Sequence, residues 1–322
     1  MLINELLFNS SPTLAILDSV SPALVVFLIL LVVGMNTALW MLYRPGRYTP
    51  FERILYAPVY LLGRLLWRVE VYGLRDGQWI RDSVMLDELL GKGTPQASGA
   101  VVVANHRSSV DPFFVQLAAG ARVHWMVAGE YFRVPGIGHL LRAYQAIPTN
   151  RGGVDTASTK RAMAIAKAGG MVGMFPEGRI NRTQSDWMTV RPGAALIALR
   201  AGVPIVPIWI EGARMGSTVW SPLLMPTRVR IYIGEPNRWG LDPANRSDEQ
   251  SDRGLAEAWM QQVLSDCTKS LGRAEAPIRL AGAQWLNEET STADGDSKQD
   301  SKQDSKQDSK QDSKQDNASS GE

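Results

Sequence analysis

Short apolar runs alternate with helical patterns through the middle of this chain, and this alternation restricts its fold more than any other feature. One helical stretch begins near Asp155 and ends at paired glycines, and another has Pro192 in its first turn and Gly202 after its last. The alternation predicts an α/β fold with a mainly parallel sheet flanked by helices. The apolar runs have the length and composition of buried strands and read AVVVAN, VHWMVAG, YQAIPTN, GMVGMFPEG, VPIVPIWIEG and RVRIYIGEP.

The N-terminal region has a different character. Residues 19–43 are 25 consecutive residues without a charge, which is enough for a helix that crosses a bilayer. Residues 51–67 are apolar but contain Pro58 and Arg64, a pattern typical of a helix in the membrane interface, although an ordinary core helix is the alternative. We therefore predict a membrane-anchoring segment over 1–67, formed by a spanning helix or a helical hairpin. Arginines after residue 43 predict that the rest of the chain lies on the cytoplasmic side of the cell membrane.

The remaining regions limit the classes of function. The predicted α/β domain covers 68–286, and 287–322 is a polar tail with DSKQ repeats that we expect to be disordered. A net charge of +2 does not indicate a nucleic-acid partner. Cys267 is the single cysteine, so a disulfide framework is excluded, and its polar helical surroundings do not indicate a catalytic thiol.

Polar side chains follow three of the predicted strands. His106 follows AVVVAN, Arg151 follows QAIPTN, and Glu177, Gly178 and Arg179 follow the strand that ends in MFP. Because ligands of parallel sheets bind beyond the carboxyl ends of the strands, we expect these residues to share one rim of the sheet.

His106 and Asp111 are five residues apart, and this spacing allows a catalytic pair. Imidazole is the natural general base near neutral pH, and Asp111 can fix its tautomer from the first turn of the next helix. Ser108 or Ser109 is expected to cap that helix. From the pair alone, a capped helix with an incidental histidine is an equally good interpretation.

The absence of other signatures narrows the chemistry. The sequence has no G-x-S-x-G motif, and His124 and His139 lack metal-ligand spacing, so we expect neither a serine nucleophile nor a zinc site. A base would then act directly on a substrate hydroxyl. The guanidinium groups of Arg151 and Arg179 suit phosphate, which indicates a lysophospholipid at a membrane.

Four motifs in order carry a resemblance to a known family. NHRSSVD resembles the first motif, N-H-x4-D, of the PlsC-like glycerolipid acyltransferases, also called lysophosphatidic acid or 1-acylglycerol-3-phosphate acyltransferases. EYFRVPGIGHLLRAYQAIPTNRGG is similar to their second motif, FPEGRINRT to their third, and VPIVPIWI to their fourth. The match spans Asn105 to Ile210, so it covers the core of the domain predicted over 68–286.

The resemblance implies transfer of a fatty acyl group from acyl-CoA or acyl carrier protein to 1-acylglycerol-3-phosphate, giving phosphatidic acid, without a cofactor. It implies His106 as the base and Asp111 as its orienting partner. It also implies an acceptor-binding set made of Arg151 from the second motif and of third-motif residues, namely Phe175, Pro176, Glu177, Gly178 and Arg179.

Two departures from the family pattern keep alternatives open. Many members continue the third motif as F-P-E-G-T-R-S, whereas Arg179 follows Gly178 here and Arg182 follows shortly after, so lysophosphatidylethanolamine or an aminolipid is an alternative acceptor. Residues 75–99 are longer than the connector expected before the first motif, and we interpret them as a passive insertion or as a helix over the site. A non-catalytic lipid-binding adaptor and a hydrolase are more remote alternatives.

Overall fold

The computed structural model describes most of the α/β region and part of the N-terminal region. The described residues are 21–43, 48–81, 90, 99–150, 156–216, 218, 221–247, 249–273 and 278–281, with the backbone alone for 36–43. The predictions for Arg151 and for the DSKQ repeats fall outside these residues.

The observed elements confirm the predicted alternation. All six apolar runs form strands, and both of the helical stretches with clear boundaries form helices, α5 and α6. The helices are α1 (Pro22–Tyr43), α2 (Pro50–Leu65), α3 (Asp111–Ala119), α4 (Ile137–Ala143), α5 (Thr156–Lys167), α6 (Gly193–Ala201) and α7 (Asp252–Ser270). The strands are β1 (Glu70–Arg75), β2 (Gln78–Arg81), β3 (Ala100–Ala104), β4 (Val123–Ala128), β5 (Ile147–Thr149), β6 (Met171–Met174), β7 (Ile205–Glu211) and β8 (Arg230–Ile233).

Within the described residues the strands form one eight-stranded sheet in the order β2-β1-β8-β7-β3-β6-β4-β5. The pairs β1–β2 and β7–β8 are antiparallel, and the other neighbouring pairs are parallel. The mainly parallel sheet predicted from the sequence is therefore confirmed. Strand β3 lies between β7 and β6 and is buried along its whole length, so the residues after Ala104 emerge at the middle of the sheet rim.

Alternate residues of β3 supply the two faces of the core. Val102 and Ala104 pack with α2 and α3 on one face, whereas Val101 and Val103 pack with α5, α6 and α7 on the other. Burial on both faces explains why this strand is a continuous apolar run rather than an alternating one.

Helix α2 is packed into the α/β domain along one side. A capping box between Thr49 and Glu52 begins the helix, and Glu52 also forms a largely buried ion pair with Arg122 at 2.9 Å. Beyond its end, the ring of Trp67 meets that of Phe114 edge-on at a centroid distance of 5.0 Å. The core therefore begins before residue 68, the predicted start of the domain.

The other side of α2 remains apolar at the surface. Phe51, Ile54 and Leu65 expose 64%, 72% and 59% of their area. The buried side agrees with the interpretation of this segment as a core helix. The exposed apolar side agrees with its interpretation as a helix in the membrane interface. The helix combines both features.

Helix α1 lies within the uncharged run predicted to span a membrane. Its described side chains are largely exposed, among them Phe27, Leu30 and Met35. A search of the described part of the chain finds no helix long and apolar enough to cross a bilayer, so the spanning prediction is not confirmed.

The stretch 75–99 begins with a strand that the sequence did not predict. β1 and β2 are antiparallel, and Arg75 pairs with Gln78, so Asp76 and Gly77 form a two-residue hairpin loop. Both loop residues have positive φ, 50° and 75°, as a type I′ turn requires. Strand β2 forms one edge of the sheet, which corrects the interpretation of this part as a passive insertion or a helix.

Candidate active site

The His106–Asp111 pair is formed at the carboxyl end of β3. Nδ1 of His106 lies 3.0 Å from Oδ2 of Asp111. Asp111 is the first residue of α3 and is fully buried, while 16% of the His106 side chain is exposed. The structure thus places the imidazole at the surface of the sheet rim and its carboxylate partner beneath it.

The carboxylate of Asp111 also organises the turn that carries His106. Its Oδ2 accepts the backbone N–H groups of Arg107 at 2.6 Å and Ser108 at 2.7 Å. The prediction that Ser108 or Ser109 caps α3 is wrong, because Val110 is the N-cap residue and makes no side-chain capping bond. The Asp111 carboxylate instead accepts backbone N–H groups of the turn, and these bonds fix the position of the carboxylate relative to the imidazole.

Two aromatic rings extend from the imidazole. The Phe175 ring stacks on the His106 ring with a centroid distance of 3.9 Å and an interplanar angle of 9°. Trp125 of β4 stacks on the other side of Phe175 at 4.7 Å and 13°. This stack restricts rotation of the imidazole, so Phe175, a predicted substrate-binding residue, also contacts the base candidate.

Glu177 is buried behind the same turn. Its Oε1 accepts the backbone N–H of His106 at 3.0 Å, and its Oε2 accepts that of Met188 at 2.9 Å. Burial raises the pKa of Glu177 above its ordinary value, and the two backbone donors oppose this shift in part. The observed contacts of Glu177 hold the backbone of His106 in place, and its predicted contact with an acceptor stays a prediction.

The remaining third-motif residues form a tight turn. The N–H of Gly178 donates to the carbonyl of Phe175 at 3.0 Å, and Gly178 has a φ of +71°, a conformation that favours glycine. Pro176 is buried, whereas Gly178 and Arg179 are exposed beside it. The turn directs Glu177 inward and leaves the Arg179 guanidinium at the surface.

A second loop is fastened to the His106 turn by contacts that the sequence did not indicate. Asn181 donates its N–H to the carbonyl of His106 at 2.6 Å. The Arg107 guanidinium donates to the carbonyls of Thr183 and Ser185, at 2.6 Å each. The end of the third motif and the residues just after it are therefore held against the turn that carries the base candidate.

Asn105 anchors the start of the turn. Its side-chain amide donates to the carbonyl of Ile210 at 3.0 Å and accepts the N–H of Ile210 at 2.7 Å. These two bonds extend the β3–β7 ladder by one residue through a side chain. Sequence reasoning missed this role and those of Arg107, Trp125 and Asn181. The asparagine before the histidine was a visible signal, since a buried strand that ends in an amide side chain needs partners for it.

Known proteins with similar sequences share this region. The family model described as Acyltransferase matches residues 90–211. The 1-acyl-sn-glycerol-3-phosphate acyltransferase of Bacillus subtilis (strain 168) is 31% identical over 172 residues, which are 52% of this chain and 81% of that protein. The chloroplastic 1-acyl-sn-glycerol-3-phosphate acyltransferase BAT2 of Brassica napus is 31% identical over 157 residues, 47% of this chain and 43% of that protein.

A solved structure was also found. The crystal structure of the 1-acyl-sn-glycerophosphate (LPA) acyltransferase PlsC from Thermotoga maritima aligns with a TM-score of 0.47 and 20% identity, over 76% of this chain and 93% of that chain. The matched region of the family model contains the His106–Asp111 pair, the Phe175–Arg179 turn and the Asn105–Ile210 bridge. With a relative 31% identical and matched over 81% of its length, the chain belongs to the 1-acyl-sn-glycerol-3-phosphate acyltransferase family, and the protein is an acyltransferase.

Proposed function

We propose that this acyltransferase moves a fatty acyl group from acyl-CoA or acyl carrier protein to 1-acylglycerol-3-phosphate, with His106 as general base and Asp111 as its orienting partner. The observation that carries the proposal is the 3.0 Å contact between Nδ1 of His106 and Oδ2 of Asp111. The product is phosphatidic acid. The proposed steps use the protein's own side chains and require no metal or cofactor.

The pair supports a direct transfer in two proton movements. When Nδ1 carries the proton and donates a hydrogen bond to the Asp111 carboxylate, Nε2 presents a lone pair. Nε2 takes the proton of the acceptor hydroxyl as its oxygen attacks the thioester carbonyl. The carbon–sulfur bond then breaks, and the leaving thiolate takes the proton back from the imidazolium. The oxygen ester and the free thiol are the products, and His106 returns to its starting state.

The acceptor is inferred from the relatives and from charge at the rim. The matched relatives are named 1-acyl-sn-glycerol-3-phosphate acyltransferases, which implies a lysophospholipid acceptor. The exposed guanidinium of Arg179 follows the Phe175–Gly178 turn and suits a phosphate group. Arg151 is proposed as a second cation for the same phosphate.

A membrane surface is proposed as the place of action, with the α/β domain on the cytoplasmic side of the cell membrane. Phe51, Ile54 and Leu65 expose an apolar side of α2, and α1 exposes apolar side chains as well. Exposed apolar area of this kind favours contact with lipid. A lysolipid could then enter the site from the membrane in which it resides.

An acyl-transfer assay on purified protein tests the proposal. The panel contains lysophosphatidate, lysophosphatidylethanolamine and an aminolipid as acceptors, each with acyl-CoA and acyl carrier protein thioesters. We expect lysophosphatidate to have the highest kcat/KM. A higher value for another lysolipid would contradict the proposed acceptor, and the Arg179 departure would then be the residue to examine.

A further inference from the structure

A cleft of about 510 Å³ opens next to the turn that carries His106. Asn105 and Arg107, the two neighbours of His106 in sequence, both line it, as do residues 181–184. Its volume is within the range of small-ligand sites. His106 and the third-motif residues 175–179 are not part of its lining, so the cleft is distinct from the rim proposed for the acceptor.

The cleft has an excess of positive charge. Arg107, Arg182 and Arg273 line it, together with Glu211. Arg273 is neutralised by Glu211 and Asp186, each 2.6 Å from its guanidinium. Among the described residues neither Arg107 nor Arg182 forms an ion pair, so two cationic groups face this space without a carboxylate.

Trp209 is part of the lining and is 2% exposed. The Arg273 guanidinium lies 4.5 Å from the centroid of the Trp209 ring, so Arg273 is held by this ring as well as by its two carboxylates. The guanidinium groups of Arg107 and Arg182, which have no carboxylate partner among the described residues, suit a ligand that is anionic and rich in acceptor oxygens.

The wall of the cleft is connected to the catalytic turn. The Arg107 guanidinium donates hydrogen bonds to the carbonyls of Thr183 and Ser185. The N–H of Asn181 donates to the carbonyl of His106. Arg107 uses part of its guanidinium in these bonds and retains further N–H groups. A ligand phosphate held here is therefore fixed relative to the imidazole, as a bound substrate must be for transfer.

We propose that this cleft binds the phosphate of the phosphopantetheine arm of the acyl donor, with Arg107 and Arg182 as its cations. The inference rests on the proposed acyl transfer, which requires two substrates at one base. Since Gly178 and Arg179 on the acceptor rim do not line the cleft, the cleft is assigned to the other substrate. Acyl-CoA and acyl carrier protein share the phosphopantetheine phosphate, so the assignment holds for either donor.

Substitutions of Arg182 test this assignment, because Arg182 is exposed and its side chain makes no hydrogen bond to any of the described residues. Arg182→Gln removes the charge and Arg182→Glu reverses it. Arg253→Gln on α7 is the matched control, since it removes an exposed guanidinium that does not line the cleft. CoA and holo-acyl carrier protein, which carry no acyl group to transfer, are titrated separately into each variant by calorimetry in a His106→Ala background.

We expect Arg182→Gln to raise the Kd of the bound donor carrier by about three- to fivefold, as for one partly exposed ion pair, and Arg182→Glu to raise it further. In the wild-type background the KM for the acyl donor rises in parallel, and the KM for lysophosphatidate does not change. An unchanged Kd in both Arg182 variants, no binding of either carrier, or a rise in the acceptor KM instead would overturn the assignment.

The calorimetric titrations and the kinetic assay together distinguish a failure of this assignment from a failure of the proposed function. If the wild type transfers no acyl group in any donor and acceptor combination, the proposed function fails, and the calorimetric arm still decides what the cleft binds. If transfer is observed but the donor Kd and KM are insensitive to Arg182, the cleft assignment fails alone.

Discussion

Asn105→Ala is expected to destabilise the domain at the point where the turn that carries His106 leaves the sheet. The Asn105 amide makes two hydrogen bonds to the backbone of Ile210, at 2.7 and 3.0 Å, and the residue is only 1% exposed. Alanine leaves the N–H and the carbonyl of Ile210 buried without partners, and each such group costs about 1–3 kcal/mol. We therefore expect a loss of about 3 kcal/mol in the free energy of unfolding, a large part of the roughly 5–15 kcal/mol typical of a domain.

Chemical denaturation in detergent, followed by tryptophan fluorescence, measures this loss. Asn245→Ala is the matched control, because the Asn245 side chain donates one bond to the carbonyl of Trp239 and is partly exposed. Its expected cost is below about 1 kcal/mol. Asn105→Asp keeps an acceptor for the N–H of Ile210 but places an oxygen against the carbonyl of Ile210, so it should be at least as destabilising at neutral pH. A change below about 0.5 kcal/mol for Asn105→Ala would refute the reasoning, because surface substitutions reach that size.

Three further predictions concern titratable side chains. Asp111→Asn should lower kcat by about 10²–10⁴-fold in the acyl-transfer assay, because the imidazole loses the acceptor that selects its tautomer; a drop of less than tenfold would contradict the orienting role. Burial raises the pKa of Glu177 above its ordinary value of 4.5, so the folded state binds the proton more tightly than the unfolded state. The stability that this group contributes is therefore lost as the pH rises from the unfolded-state pKa through the folded-state pKa. Denaturation at several pH values should show the wild type losing stability relative to Glu177→Gln as pH rises, and a constant difference would contradict the shift. Burial raises the pKa of Cys267 to about 12, so its thiol should react with a disulfide reagent at pH 8 only after unfolding, whereas fast reaction of the native protein would contradict its burial.

Much of the fold could be predicted from the sequence because β3, β4, β6 and β7 are nearly continuous apolar runs. Both faces of β3 are buried, and this burial requires apolar side chains at successive positions, which leaves a visible signature. Strands β1 and β2 were missed because β1 is mostly half-buried, β2 is largely exposed, and both are mixed in composition. The Asp76-Gly77 dipeptide was nevertheless a hairpin signal, and both residues have the positive φ that it predicts.

The contact between His106 and Asp111 could be predicted because it is local. Five residues separate His106 from Asp111, and a turn followed by a helix start brings them together. Contacts such as the Trp125–Phe175 stack or the Arg107–Thr183 bond join residues distant in the chain, and they depend on strand order. The serine cap was predicted wrongly because the helix begins one residue later, after Val110, which has no side-chain acceptor. The Asp111 carboxylate accepts N–H groups of the turn before the helix, those of Arg107 and Ser108.

The packing of α2 shows why an apolar helix next to an uncharged run is ambiguous. The sequence pattern of 51–67 suits both lipid and a protein core. Its buried side contacts α3 and its other side exposes Phe51 and Ile54, so each interpretation describes half of the helix. The burial of Tyr56, Val59 and Tyr60 and the ion pair of Glu52 with Arg122 identify the buried half.

The most direct test of the central claim is the rate of acyl transfer to lysophosphatidate by wild type and by His106→Ala, with circular dichroism to show that the variant is folded. The account predicts a loss of about 10³-fold or more in kcat with the fold intact, because a general base that is removed has no substitute among its neighbours. A folded His106→Ala protein that transfers the acyl group at a rate within tenfold of wild type would contradict it.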